Sequence, residues 1–135
     1  MENSRGKRDP VGGAETILLV EDEEPLRKLA ARILKEYGYS IVGADNGIAA
    51  LEITTEGDRP EIDLLVTDVV MPKMGGKELS IKLLEAYPKM GVLYICGYTE
   101  NAIAHHGVLD EGVSLLQKPF SPQSLAEKVR EVLDS

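Results

Sequence analysis

The sequence predicts an α/β domain of the doubly wound type, with a five-stranded parallel sheet and helices on both of its faces. Short apolar segments alternate five times with longer segments of helical periodicity, and such β-α alternation is typical of parallel sheets. The apolar runs at residues 17–20 and 64–66 show no polar alternation, which indicates strands buried on both faces. Short right-handed crossovers then favour the strand order 2-1-3-4-5.

Composition excludes several classes of function and location. The 135 residues suit one domain, and 43% hydrophobic residues are enough for a core. The net charge of −8 argues against nucleic acid as a direct partner. There is no signal peptide and no apolar run near the ~20 residues of a membrane span, so no membrane contact is expected. The single cysteine, Cys96, cannot form an internal disulfide. We expect a cytoplasmic domain that is a monomer or a weak dimer.

The first half of the chain gives a leader, two strands and two helices. Residues 1–14 are polar and glycine-containing, which predicts a flexible leader or linker before a domain at 15–135. Residues 16–20 form the first strand. Apolar residues at helical spacing follow it up to Gly38, which is a typical C-cap residue. The predicted inner side of this helix comprises Leu26, Leu29, Ala30, Ile33, Leu34 and Tyr37. A strand at 40–44 and a helix that opens at Asn46 and ends before Pro60 come next.

The second half of the chain repeats the alternation of strand and helix three times. The third strand ends at Asp68, and Pro72 then breaks the chain direction. The later predicted elements are a helix at about 77–87, a strand at 92–95, a helix at about 101–110, a strand at 114–117 and a final helix that begins at Pro122.

The polar residues at the strand ends predict a functional site. Strand 1 ends in Glu21 and Asp22, strand 3 in Asp68, strand 4 in Cys96 and strand 5 in Lys118. In a sheet of order 2-1-3-4-5, strands 1 and 3 flank the point where the order reverses, and ligands bind there at the carboxyl ends of the strands. We therefore expect three carboxylates and one ammonium group to meet in one crevice.

This combination of groups favours phosphoryl transfer. Three crowded carboxylates repel one another and raise each other's pKa, and a divalent cation removes that penalty. Oxygen ligands that leave room for water and a phosphoryl oxygen suit Mg²⁺. Lys118 adds a positive charge on a flexible stem that suits a phosphoryl oxygen. A carboxylate beside a metal and a lysine can accept a phosphoryl group.

The chain resembles the receiver domains of two-component signalling. The residues at 94–99 and 116–120 are most similar to those of receivers attached to hybrid sensor histidine kinases. Four stretches carry the resemblance in the right order, at residues 17–23, 63–72, 93–99 and 116–120. Together with the intervening pattern, the resemblance covers residues 15–135. It implies a flavodoxin-like, doubly wound fold.

The resemblance also implies a role for each site residue. Asp68 would accept phosphate from the phosphohistidine of a sensor histidine kinase or a histidine phosphotransfer protein. Glu21 and Asp22 would hold Mg²⁺ together with Asp68 and the backbone carbonyl of Val70. Lys118 would pair with Asp68 and then with the phosphoryl group, and the peptide bond that follows it would be cis.

Two positions depart from the pattern of the receiver family. Cys96 stands where the family usually has Ser or Thr, and Leu115 stands where it often has Tyr or Phe. In receivers these two positions couple phosphorylation to the signalling face. Their replacement puts the usual conformational switch in doubt and leaves the phosphoacceptor residues intact.

Three other functions are weighed against this one. A phosphatase of the haloacid dehalogenase type needs an Asp at position 70, where this chain has Val70. A cysteine hydrolase could use Cys96 with His105 or His106, but Tyr94 is too large for a nucleophile elbow. A binding module could keep the fold and lose phosphorylation, which the complete acidic set disfavours. The sequence leaves open whether the chain is a single-domain regulator or a piece of a hybrid kinase.

Overall fold

The computed structural model describes residues 12–55, 60–71, 73–97 and 114–135. Strands and helices alternate along these ranges, except that β4 is followed directly by β5 among the described residues. The elements are β1 (Thr16–Val20), α1 (Glu24–Glu36), β2 (Ser40–Ala44), α2 (Gly47–Thr55), β3 (Leu64–Asp68), α3 (Gly76–Ala86), β4 (Gly91–Cys96), β5 (Ser114–Gln117) and α4 (Pro122–Asp134).

The strand order is β2-β1-β3-β4-β5 and every pairing is parallel. The predicted fold class and strand order are therefore confirmed. The helix predicted at 101–110 lies outside the described residues, as do Pro72, His105 and His106.

The sheet separates two layers of apolar side chains, which explains the lack of polar alternation in β1 and β3. Ile17 and Leu64 belong to the cluster that includes residues of α1 and α4, whereas Leu18 and Leu65 belong to the cluster that includes residues of α2 and α3. All four side chains are fully buried. Burial of each is worth about 1.5–3 kcal/mol, so the two central strands contribute strongly to stability.

The apolar stripe of α1 is narrower than the sequence predicts. Ala30, Ile33 and Leu34 are buried as expected, but Leu29 is 42% exposed. The prediction that Leu29 faces the core is therefore wrong. At 100° per residue, Leu29 and Leu34 lie at opposite flanks of the stripe, about 140° apart around the helix, and the helix is rotated so that the flank with Leu34 faces the sheet.

The end of the sheet opposite the strand carboxyl ends is held by Arg130 of α4. Its Nη2 donates to Glu15 Oε2 at 2.7 Å and to Asp134 Oδ1 at 2.9 Å. Its Nη1 donates to the carbonyl oxygen of Gly12 at 2.9 Å. Hydrogen bonds from Arg130 lower the pKa of Glu15. The segment that enters β1 is thus tied to the last helix of the described residues.

Candidate phosphoacceptor site

The carboxyl ends of β1 and β3 bring three carboxylates together. Val20 pairs with Thr67, so Glu21, which directly follows β1, and Asp68, the last residue of β3, lie level with each other. Glu21 and Asp68 are buried and Asp22 is exposed. One carboxylate oxygen from each of the three lies within 4.8 Å of the others. The structure therefore assembles the acidic cluster that the sequence predicts.

Lys118 reaches this cluster from the end of β5. Its Nζ lies 3.0 Å from Asp68 Oδ1 and 3.4 Å from Glu21 Oε1. The backbone N–H of Lys118 donates to the Cys96 carbonyl oxygen at 2.8 Å, which fixes the start of the loop beside the end of β4. The Lys118-Pro119 peptide bond is cis, as predicted. The ammonium is thus directed at the carboxylates.

Glu21 is fixed by contacts on both sides of its backbone and on its side chain. Its N–H donates to the Ala44 carbonyl oxygen of β2 at 3.1 Å. Its Oε2 accepts the N–H of Glu23 at 3.0 Å, and its carbonyl oxygen accepts from Arg27 Nη1 at 2.8 Å. The connection between β1 and α1 is therefore held before any ligand binds.

The electrostatics of the cluster favour a cation. The pKa of Asp68 is raised to about 9, first by burial and then by hydrogen bonding and charge from the adjacent Glu21 carboxyl group, while Lys118 acts to lower it. Within the described residues, no hydrogen-bond donor is aligned with the buried Asp68 Oδ1, although the Lys118 ammonium lies close to it. One ammonium does not balance the buried charge, and three hard oxygen donors fit Mg²⁺.

The loop after β3 brings the start of α3 against the site. The Gly76 N–H donates to the Val69 carbonyl oxygen at 2.9 Å. A Cβ at Gly76 would collide with the backbone oxygen of Asp68, so a glycine is needed for this close approach. Val70, the predicted backbone ligand, is 47% exposed on this loop. The loop therefore leaves open the side of the site where Val70 lies.

Cys96 lies in a small apolar cluster beside the site. It is fully buried and packs in a cluster with Val69 and Tyr94, against which Leu115 also packs. Tyr94 is the cross-strand neighbour of Leu115, and its hydroxyl lies 2.7 Å from Ser80 Oγ of α3. The cluster that contains Leu115 thus has an aromatic ring, supplied by the neighbouring strand.

Sequence reasoning missed Arg27, Ser80 and Tyr94 as residues that support the site. Arg27 carried a usable signal, because a cation near a helix N-terminus opposes the helix dipole and calls for a partner. The Ser80–Tyr94 pair carried none, because it depends on where α3 crosses β4.

A five-stranded parallel sheet in this order, with an acidic pocket and a lysine at its carboxyl edge, defines a receiver domain of two-component signal transduction. The response regulator receiver domain family matches residues 17–130, and this chain belongs to that family.

Relatives of known description share this domain. The sensor kinase CckA of Brucella abortus (strain 2308) is 39% identical over 128 residues, which cover 95% of this chain and 13% of the kinase. The response regulator receiver protein CpdR of the same organism is 32% identical over 117 residues, which cover 87% of this chain and 95% of CpdR. The chain therefore spans a small part of one relative and nearly all of the other.

Solved structures agree with the fold. A response regulator receiver protein from Sinorhizobium medicae WSM419 gives a TM-score of 0.77 at 28% identity, covering 90% of this chain and 96% of that chain. The receiver domain of the hybrid histidine kinase CckA gives a TM-score of 0.68 at 33% identity, covering 87% of this chain and 98% of that chain. Across the described ranges, no helix has the length and apolar character needed to cross a bilayer.

Proposed function

We propose that the domain accepts a phosphoryl group on Asp68 from a phosphohistidine, and that Mg²⁺ is required for this transfer. The donor would be a sensor histidine kinase or a histidine phosphotransfer protein. The single observation that carries the proposal is the position of Asp68, which lies beside two further carboxylates and 3.0 Å from the Lys118 ammonium.

The transfer forms one bond and breaks one bond. An Asp68 carboxylate oxygen attacks phosphorus, and the P–N bond of the phosphohistidine breaks with its electron pair going to the imidazole nitrogen. The imidazole leaves as the neutral ring when its other nitrogen already carries a proton. The product is an acyl phosphate on Asp68.

Lys118 and the acidic residues have separate tasks in this transfer. Lys118 favours the carboxylate form of Asp68 before the reaction, and its flexible stem lets the ammonium follow a phosphoryl oxygen afterwards. Glu21, Asp22, Asp68 and the Val70 carbonyl would hold Mg²⁺. When bound there, Mg²⁺ would supply positive charge against the phosphoryl group that arrives at a site already rich in carboxylates.

Intact-mass measurement tests the proposal. After incubation with acetyl phosphate and Mg²⁺, the native chain should gain one phosphate, and Asp68→Asn should gain none. Asp45→Asn is the matched control, because Asp45 is an exposed carboxylate just after the end of β2 and therefore at the same edge of the sheet. This variant should still gain one phosphate. Chelation of Mg²⁺ should abolish the gain in the native chain. A mass gain that survives in Asp68→Asn would move the acceptor elsewhere and refute the proposal.

A further inference from the structure

We infer that Arg27 is a positioning residue for the metal site, which it serves by holding the peptide group between Glu21 and Asp22. This inference rests on the proposed function, because it concerns the same Mg²⁺ site. Arg27 does not belong to the acidic cluster; it lies in α1 and acts through the backbone of the residues that do.

The contact is well defined. Arg27 Nη1 donates to the Glu21 carbonyl oxygen at 2.8 Å across a separation of six residues. The backbone N–H of Arg27 also donates to the Glu23 carbonyl oxygen at 2.9 Å, so the start of α1 is in register with the loop. The stem of Arg27 lies beside β2, where a Cβ at Gly43 would be in ordinary contact with Arg27 Cδ. The side chain thus runs from α1 along the edge of the sheet to the loop.

This bond fixes more than one atom. The Glu21 carbonyl and the Asp22 N–H belong to one planar peptide group. Holding its oxygen therefore sets the rotation of the whole plane that joins two of the three carboxylate residues. The Glu21 N–H and Oε2 are held by Ala44 and Glu23. Arg27 supplies the remaining restraint, on the side of the loop that leads to the exposed Asp22.

Electrostatic attraction cannot be the way in which Arg27 favours metal binding, because Arg27 and Mg²⁺ are both positively charged. A guanidinium near a cation site repels the cation, so removing the charge alone would tighten Mg²⁺ binding. Loss of a positioning contact would weaken it, and outer-shell contacts of metal ligands are worth 10–100-fold in affinity as an order of magnitude. The two effects have opposite signs, which makes the inference testable with one substitution.

The experiment compares Mg²⁺ affinity of the native chain with Arg27→Met, Arg27→Lys and Lys28→Met. Arg27→Met keeps an apolar stem and removes the donor, and we expect about tenfold weaker binding. Arg27→Lys keeps the positive charge and has a donor on a shorter side chain. Its Mg²⁺ affinity should therefore lie between those of the native chain and Arg27→Met. Lys28→Met is the matched control for charge, because Lys28 is exposed and pairs with Glu24 in the same helix turn. It should bind Mg²⁺ as tightly as the native chain or more tightly.

Two further measurements separate positioning from a general loss of stability. Urea unfolding without Mg²⁺ should show both Arg27 variants folded at the temperature of the titration. The amide resonances of Glu21 and Asp22 should shift in metal-free Arg27→Met more than those of β4. If Arg27→Met fails to fold, Arg27→Lys carries the test, with weaker binding expected.

The outcomes are distinct. Equal or tighter Mg²⁺ binding by Arg27→Met or, where that variant does not fold, by Arg27→Lys would overturn the inference and leave the proposed function intact. Failure of the native chain itself to bind Mg²⁺ would instead overturn the proposed function, and this inference with it.

Discussion

At the scale of single residues, Cys96 differs most from what the family resemblance leads one to expect. A hydroxyl at this position could donate a hydrogen bond to a phosphoryl oxygen. A thiol is a weaker donor, and its sulfur atom is larger than a hydroxyl oxygen. Cys96 is fully buried against Val69 and Tyr94. Its sulfur therefore fills apolar space next to the site and has little freedom to turn toward a phosphoryl group. We expect phosphorylation to shift the conformation of this domain only modestly.

Cys96→Ser tests this expectation. Hydrogen bonds to charged groups are worth roughly 1.5–3 kcal/mol, and serine should recover part of that for the phosphorylated state. Binding of beryllofluoride with Mg²⁺ should tighten several-fold in Cys96→Ser, and amide shifts in β5 should become larger. Cys96→Ala is the control, because it removes the sulfur without adding a donor, and it should not tighten binding. Equal affinity of the native chain and Cys96→Ser would show that the thiol serves as well as a hydroxyl.

At the scale of elements, a buried hydrogen bond joins α3 to β4. Ser80 Oγ donates to the Lys77 carbonyl oxygen at 2.8 Å. Since its single hydrogen is used there, Ser80 Oγ accepts from Tyr94 in the 2.7 Å contact between the two hydroxyls. Tyr94 also packs against Val69, the residue after Asp68. Helix α3 is thus connected through one ring to the strand end that carries the acceptor.

A double-mutant cycle of Tyr94→Phe and Ser80→Ala should reveal this connection. A buried hydrogen bond of this kind contributes on the order of 1 kcal/mol, so the free energy of unfolding in urea should fall by about that amount in each single variant. The double variant should lose less than the sum of the two. Tyr37→Phe is the control, because its hydroxyl makes no hydrogen bond within the described ranges, and it should be nearly neutral. Strict additivity in the cycle would contradict a stabilising hydrogen bond between the two hydroxyls.

At the scale of the whole molecule, the strand order and the residues at the strand ends were predictable from the sequence pattern. The uninterrupted apolar runs of β1 and β3 fixed which strands are central, and parallel strands necessarily present their final residues at one edge of the sheet. That geometry alone brought Glu21, Asp68 and Lys118 together.

The parts that depend on contacts between elements were not predictable. The exposure of Leu29 depends on how α1 is rotated on the sheet, and the pairing of Tyr94 with Leu115 depends on strand register. The position of Arg27 near the start of α1 indicated that it needs a partner, but its bond to the Glu21 carbonyl oxygen was not predictable, because a charged residue of an amphipathic helix is usually solvated. Sequence pattern thus specified the site, and packing specified what supports it.

The buried acceptor should make the stability of the metal-free domain depend on pH. The pKa of Asp68 is raised to about 9 in the folded state by burial and by Glu21, and an unfolded Asp has a pKa of about 3.9. The folded state therefore binds more protons than the unfolded state between these values. A raised pKa contributes stability that is fully present below the unfolded value and is lost as pH rises toward the folded value, by at most about 1.4 kcal/mol per pH unit.

Urea unfolding at about pH 6 and about pH 8 in a chelator measures this loss, and the comparison with Asp68→Asn isolates it. Asparagine cannot titrate, so the stability of the native chain relative to Asp68→Asn should fall as pH rises. The difference also cancels the contribution of every other group that titrates equally in the two chains. Saturating Mg²⁺ should reduce the pH dependence, because the ion binds the carboxylate form and its stabilisation grows with pH. If the free energies of unfolding of the native chain and of Asp68→Asn changed equally with pH over this range, Asp68 would already be ionised in the metal-free fold. In that case Lys118 alone would neutralise the acceptor, and Mg²⁺ would be needed only for the charge that arrives with the phosphoryl group.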